Sequence, residues 1–139
     1  MYKTPISITD FFVVESDFSF NVRSENVGIN VDVDYSVISR EVNDEIEHGL
    51  EVRLVINGDK ETGHVKGRIV CAGFFDVDED LEEDEQKKYL ILSGLSIIYG
   101  LLRGIVYERL SAFPPDMRLL PAVNIRNLVK EKIESRKKD

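Results

Sequence analysis

The sequence predicts an α+β fold, a four-stranded antiparallel sheet followed by one long and one short helix, built as one domain over residues 1–139. Three observations predict it. Apolar and polar residues alternate at a period of two as far as Phe75, the rhythm of half-buried strands. Fourteen residues from Tyr89 to Leu102 then carry no charge, a run too long for a strand. Beyond them Phe113-Pro114-Pro115 breaks the chain, and a second apolar stripe starts at Ile125.

In the first strand Ile6, Ile8, Phe12, Val14, Phe18, Phe20 and Val22 keep the period between Pro5 and Val22, with an irregularity expected around Glu15-Ser16-Asp17. A polar connection follows to Gly28. Ile29, Val31, Val33, Tyr35 and Val37 alternate with Asn30, Asp32, Asp34 and Ser36, which gives a strand with one packed and one wet face. Ser39 to Gly49 is polar and acidic and reads as a loop. Leu50, Val52, Leu54 and Ile56 form the third strand, and Asn57-Gly58 supplies the residues that tolerate positive φ in a tight reversal. After Asp59–Gly63 the chain returns as Val65, Ile69, Cys71 and Phe75. Glu51 and Arg53 are expected to form cross-strand ion pairs with Lys66 and Arg68.

The long helix is expected from about Glu85 to Leu110. Leu90, Leu92, Leu95, Ile97, Ile98, Leu101, Leu102, Ile105 and Val106 lie all round it, and a helix apolar on every side requires cover on every side. One sheet covers one flank, so further copies of the chain are expected to cover the rest, meeting Leu95, Ile98, Gly100, Leu101, Gly104 and Ile105. Gly100 and Gly104 share a face, where another backbone can approach closely. The run is shorter than the 18 to 20 or so residues of a membrane span and Arg103 ends it, so a buried helix is expected in place of membrane insertion. Asn124 is placed to cap a second helix with Ile125, Leu128, Val129 and Ile133 on one stripe.

Charge and chemistry narrow the function. Of 26 acidic residues, eight lie between Asp76 and Glu85, so the remaining 18 match the 18 lysines and arginines and the net charge of -8 is one local segment. A surface so balanced lacks the basic face that nucleic acid requires, and no nucleic-acid partner is expected. The acidic run fails calcium-loop spacing, because Leu81 stands where glycine and Lys87 where glutamate would be needed; carboxylates at a helix N-terminus explain it, and no metal site is expected. Cys71 is the only cysteine, on an inward-facing register, which fits an inert core thiol in a reducing, cytoplasmic setting. His48 and His64 stand in no ligand or triad spacing, and no glycine-rich phosphate loop occurs, so neither catalysis nor a cofactor is expected.

With that order of elements, the C-terminal third resembles the SecB export chaperones. The resemblance is carried by Arg103, Ile105 and Val106, then Phe113-Pro114, Leu120-Pro121, Val123-Asn124 and Leu128, with Asp17-Phe18-Ser19-Phe20 and Gly73-Phe74-Phe75 similar to the family's first-strand and fourth-strand motifs. It spans most of the chain. It implies dimers with eight-stranded sheets, paired into a homotetramer with the long helices sandwiched between them. It also implies ATP-independent binding of unfolded or pre-secretory polypeptides in apolar grooves, with client contacts at Tyr35, Phe74, Phe113, Leu119, Leu120, Ile125 and Leu128. Two departures argue against docking to the SecA translocation motor: Arg68 and Asn21 stand where members that dock there present carboxylates, and the acidic tail is replaced by Lys-rich sequence. A dedicated SecB-like adaptor or antitoxin chaperone for one partner is the alternative.

Overall fold

A computed structural model describes residues 4–58 and 63–137. Four strands, β1 (Ile6–Phe20), β2 (Val31–Val42), β3 (Glu45–Ile56) and β4 (Val65–Val77), precede α1 (Glu83–Arg109) and α2 (Ile125–Lys137). A short 3-10 turn, Pro115–Met117, lies in the connector between the helices. The sheet is antiparallel throughout with order β1-β4-β3-β2, so β1 and β2 are its edges. The α+β class, the four-stranded antiparallel sheet and the long and short helices are as the sequence implied.

Three details differ. The segment read as a loop over Ser39–Gly49 is instead the tip of a continuous hairpin: β2 runs to Val42, β3 starts at Glu45, and Asn43 and Asp44 form the turn with φ of 51° and 65°. Such a two-residue turn requires positive φ at both positions, which Asn and Asp tolerate. Its flanks read as loop because the tip is wet on both sides, from Glu41 to His48. The cross-strand ion pairs also do not form. The register sets Glu51 opposite Ala72 and Arg53 opposite Val70, so Arg53 lies 3.7 Å from Glu51 along its own strand and Arg68 lies 3.4 Å from Glu15 on β1. The irregularity expected around Glu15 is present as a register shift between Val13 and Glu15, and a second, unexpected one lies between Ile8 and Asp10. At Asn57 the positive φ is present, 54°; the rest of that reversal, residues 59–62, lies outside the described residues.

β4 is the central hydrophobic element. Its seven residues from Ile69 to Phe75 alternate between the two faces of the sheet, yet all are buried. On one face Ile69, Cys71 and Phe75 join Leu50, Val52 and Leu54 beneath α1. α1 meets them with a single stripe, Leu90, Gly94, Leu95, Ile98, Tyr99, Leu102 and Val106, spaced three and four residues apart. Close approach is built into two glycines. A Cβ at Gly73 would stand 2.8 Å from Ile98 Cδ1, and one at Gly94 would stand 3.2 Å from Leu50 Cδ1. Ile98 is fully enclosed there, and truncation to alanine would cost about 2–5 kcal/mol.

The acidic segment behaves as a helix start. Glu83, Asp84 and Glu85 occupy the first turn of α1, where exposed N–H groups favour negative charge. Glu82 makes no side-chain cap; Gln86 instead donates from Nε2 to Leu81 O at 2.7 Å. Among the described residues no three His, Cys, Asp or Glu side chains cluster as a metal would need.

Candidate functional site

A groove of about 520 Å³ runs between β2 and α2. Val31 and Val33 contribute one wall, Val123 and Leu128 the other, and Asp32, Asp34, Glu131, Lys132 and Arg136 rim it. The period-2 alternation of β2 places Val31, Val33 and Tyr35 on the α1 side of the sheet and the aspartates on the other. α2 starts where Asn124 caps it: Asn124 Oδ1 accepts from Asn127 N–H at 3.0 Å and its carbonyl accepts from Leu128 N–H at 3.0 Å. None of residues 125–136 of α2 is fully buried, so its attachment depends on a few specific contacts.

The strongest of those contacts is Lys132. Its ammonium pairs with Asp34 Oδ1 at 2.5 Å, donates to the Tyr35 carbonyl, and sits 4.2 Å from the centre of the Tyr35 ring. The hydrogen bond from Lys132 holds the Asp34 carboxyl below its ordinary value, helped by the N–H of Tyr35 at 2.8 Å and opposed by partial burial. Burial pushes the Tyr35 hydroxyl up.

The connector from Ser111 to Asn124 is pinned from three directions. Tyr99 of α1 donates its hydroxyl to Pro121 O at 2.5 Å. His64, buried at the start of β4, contacts Met117 O through Nε2 at 2.9 Å and packs edge-on against Phe113. Arg118 folds back to donate to Phe113 O at 2.6 Å and Ser111 O at 3.1 Å while lying over the Tyr107 ring. A second cavity of about 540 Å³ opens between the helices, lined by Tyr89, Leu92, Ile97, Ile125 and Arg126 among others.

The expected client residues therefore divide. Tyr35 is buried in the core under Lys132, beside the groove, with Leu128 half-buried at the first cavity and Ile125 at the second. Leu119 projects from the connector, 58% exposed. Phe113 and Leu120 are buried in the chain's own core, Phe113 between His64 and Phe20. Phe74 lies on the opposite face of the sheet, packed against Phe12 and covered by the Arg40 guanidinium at 3.8 Å, and takes no part in the groove. Arg40 is fixed there by Asp10 at 2.9 Å and Glu47 at 3.0 Å.

The expected interface residues divide in the same way. Leu95 and Ile98 face the sheet and are wholly enclosed by their own chain, so they lie beyond a partner's reach. Gly100, Leu101, Gly104 and Ile105 lie on the other side of α1, with Leu101 40% and Tyr89 37% exposed. Nothing comes within 4 Å of where a Cβ would stand at Gly100 or Gly104. By length and composition alone α1 could also cross a membrane; here one of its sides is closed against the sheet.

Sequence reasoning missed Asp34, Lys132, Tyr99, His64 and Arg118 as the groups that position this site. For Lys132 a signal existed: it falls seven residues after Ile125 on the apolar stripe of α2, where a charged residue needs a partner. Asp34, Tyr99 and His64 make contacts set by the meeting of distant segments, with no local signature, while Arg118 turns back on Phe113 and Ser111 in its own connector.

These elements, an antiparallel sheet carrying a long helix, a pinned connector and a short amphipathic helix over the last strand, define the SecB-like α+β fold. No protein-family model matches the chain, and no curated protein matches it. Among solved structures it is similar to the Mycobacterium tuberculosis Rv1957 SecB-like chaperone in complex with a ChAD peptide from the Rv1956 HigA1 antitoxin, with a TM-score of 0.54 and 18% sequence identity over 86% of this chain and 91% of that one.

Proposed function

We propose that this protein is a divergent SecB-like chaperone that holds non-native polypeptides without nucleotide, in the groove between β2 and α2. One observation carries the reading: in a SecB-like fold, the groove sets an apolar strip of Val31, Val33, Val123 and Leu128, rimmed by charged side chains, beside the edge strand β2, and apolar area next to a strand edge binds extended chains by area and main-chain bonding. Val31, Val33, Val123 and Leu128 supply area. The setting is cytoplasmic and soluble, with the exposed side of α1 covered by like copies in a dimer of dimers and no lipid. No SecA contact is proposed, since Arg68 is exposed and paired with Glu15. Neither metal nor cofactor enters the reading, and no reaction is assigned to the site.

A reduced, unfolded client diluted into buffer tests this directly by light scattering. Stoichiometric protein should suppress aggregation without ATP, and Leu128→Asp should remove most of the effect by placing a charge in the apolar wall. A wild-type protein that leaves aggregation unchanged would sink the reading. A narrower role as an adaptor for one partner is favoured by the peptide in the similar Mycobacterium structure. A pull-down that returns one protein, together with indifference to generic clients, would select it.

A further inference from the structure

β2 ends the sheet, so among the described residues no strand lies on its outer side. At its middle, Tyr35 has its N–H donated to Asp34 Oδ1 at 2.8 Å and its C=O accepting from Lys132. Both main-chain groups of an edge residue are thus held by side chains, and those two side chains are an ion pair at 2.5 Å, one member of which is carried by α2. An open edge strand invites pairing by another chain, and charged side chains are a common way to close it. Here the closure also fastens the helix that forms the other wall of the groove.

We propose that the Asp34–Lys132 pair is a latch on a peptide site: closed, it caps the β2 edge and holds α2 down; open, it frees Tyr35 to pair with an extended polypeptide that joins the sheet beyond β2. The inference rests on the chaperone reading and specifies how the client binds. The occupant is a strand-like backbone because the freed groups are one N–H and one C=O, which a second strand satisfies reciprocally. Val31, Val33 and Tyr35 recur at every second residue along the wall, matching the side-chain repeat of a bound strand. Opening is within easy reach. Asp34 keeps 58% of its side chain exposed, and partly solvated ion pairs hold weakly and are screened by salt. The site is available only in the fraction of molecules with the latch open, so weakening the latch strengthens peptide binding.

The test uses the full chain and a fluorescent decapeptide of alternating valine and threonine with a lysine at each end, read by anisotropy. Lys132→Met, which keeps the stem over Tyr35 and deletes the charge, should tighten binding about three- to ten-fold. Asp34→Asn should do the same from the other side of the pair. Raising salt from about 50 to 500 mM should tighten binding to the wild type and change neither variant. Hydrogen exchange at the Tyr35 amide should quicken in Lys132→Met, which confirms a folded variant with an opened edge. The same peptide N-methylated at alternate amides should bind at least about ten-fold more weakly, having lost its donors. Variants that keep both the affinity and the salt dependence of the wild type would overturn the latch, and equal binding of the N-methylated peptide would overturn strand pairing. If the decapeptide responds as expected while the wild type fails to suppress client aggregation, the latch stands and the chaperone reading falls.

Discussion

Asn57 illustrates what a single side chain contributes here. It is buried at a φ of 54°, donates from Nδ2 to Gly28 O at 3.1 Å and Val65 O at 2.9 Å, and accepts from Asn30 N–H at 2.8 Å. It therefore joins the end of β3 to the start of β4 and to the segment entering β2. Asn57→Ala deletes all three bonds, strands buried polar groups and forces a side chain into the left-handed region, and should cost about 2–4 kcal/mol. Urea unfolding should show a lower midpoint with unchanged slope, and Asn57→Gly should lose less because it keeps the backbone free. Cys71 makes the opposite case, a reactive group silenced by its surroundings. Burial pushes its thiol up to about 12, with only Val52 O as a weak acceptor at 3.7 Å. Because the folded value lies above the unfolded one, this group favours folding fully below the ordinary thiol range near 9.0, and that contribution is lost as pH rises from there toward about 12. A thiol reagent at neutral pH should label Cys71 only after denaturant is added; rapid labelling of the native chain would contradict the packing.

At the scale of elements, α2 is held where electrostatics allow. The depressed Asp34 carboxyl means that the folded state favours the ionised form, so its contribution is present above the ordinary carboxylate value of 3.8 and is lost as pH falls through the lower folded value. Acid should accordingly speed amide exchange in α2 before the sheet opens, and Asp34→Asn should show that fast exchange already at neutral pH; simultaneous exchange of α2 and β4 at every pH would refute a separately fastened helix. Period-2 alternation made the strands legible, an uncharged run made α1 legible, and the Asn124 cap gave the start of α2. The β2–β3 hairpin stayed hidden because its tip has no buried side to pattern it. The groove was legible only in part: Leu128 follows from helical spacing, whereas the tie that fastens α2 across it exists only once Lys132, 97 positions after Tyr35, folds over that residue. Phe74 came to the client set through the resemblance alone, whereas the alternation of β4, with Ile69, Cys71 and Phe75 on the packed side, already sets it on the opposite face.

For the whole molecule, the question is what the outer side of α1 meets. A helix of 27 residues spans about 40 Å, and a stripe about 10 Å wide along it presents on the order of 400 Å². Stable interfaces bury roughly 800 Å² per partner, so α1 alone falls short and neighbouring apolar surface must contribute. β1 offers it on the α1 face in Ile8 and Val13, which pair with Phe75 and Cys71 and are both exposed on an edge strand. Glycine supplies the second part of the case, because Gly100 and Gly104 each lower helix stability by roughly 1 kcal/mol relative to alanine and nothing within the chain requires their small size. Replacing both with alanine should raise the stability of the dissociated chain by about 1–2 kcal/mol while weakening self-association, if another backbone uses the open space above them. Leu101→Glu puts a charge at the centre of the stripe without entering the sheet core. Its far-ultraviolet circular dichroism should match wild type, while light scattering across a dilution series should show a smaller particle. A wild-type chain that remains monomeric at every concentration would exclude the assembly, and a Leu101→Glu variant that keeps the wild-type mass would exclude α1 as its seam.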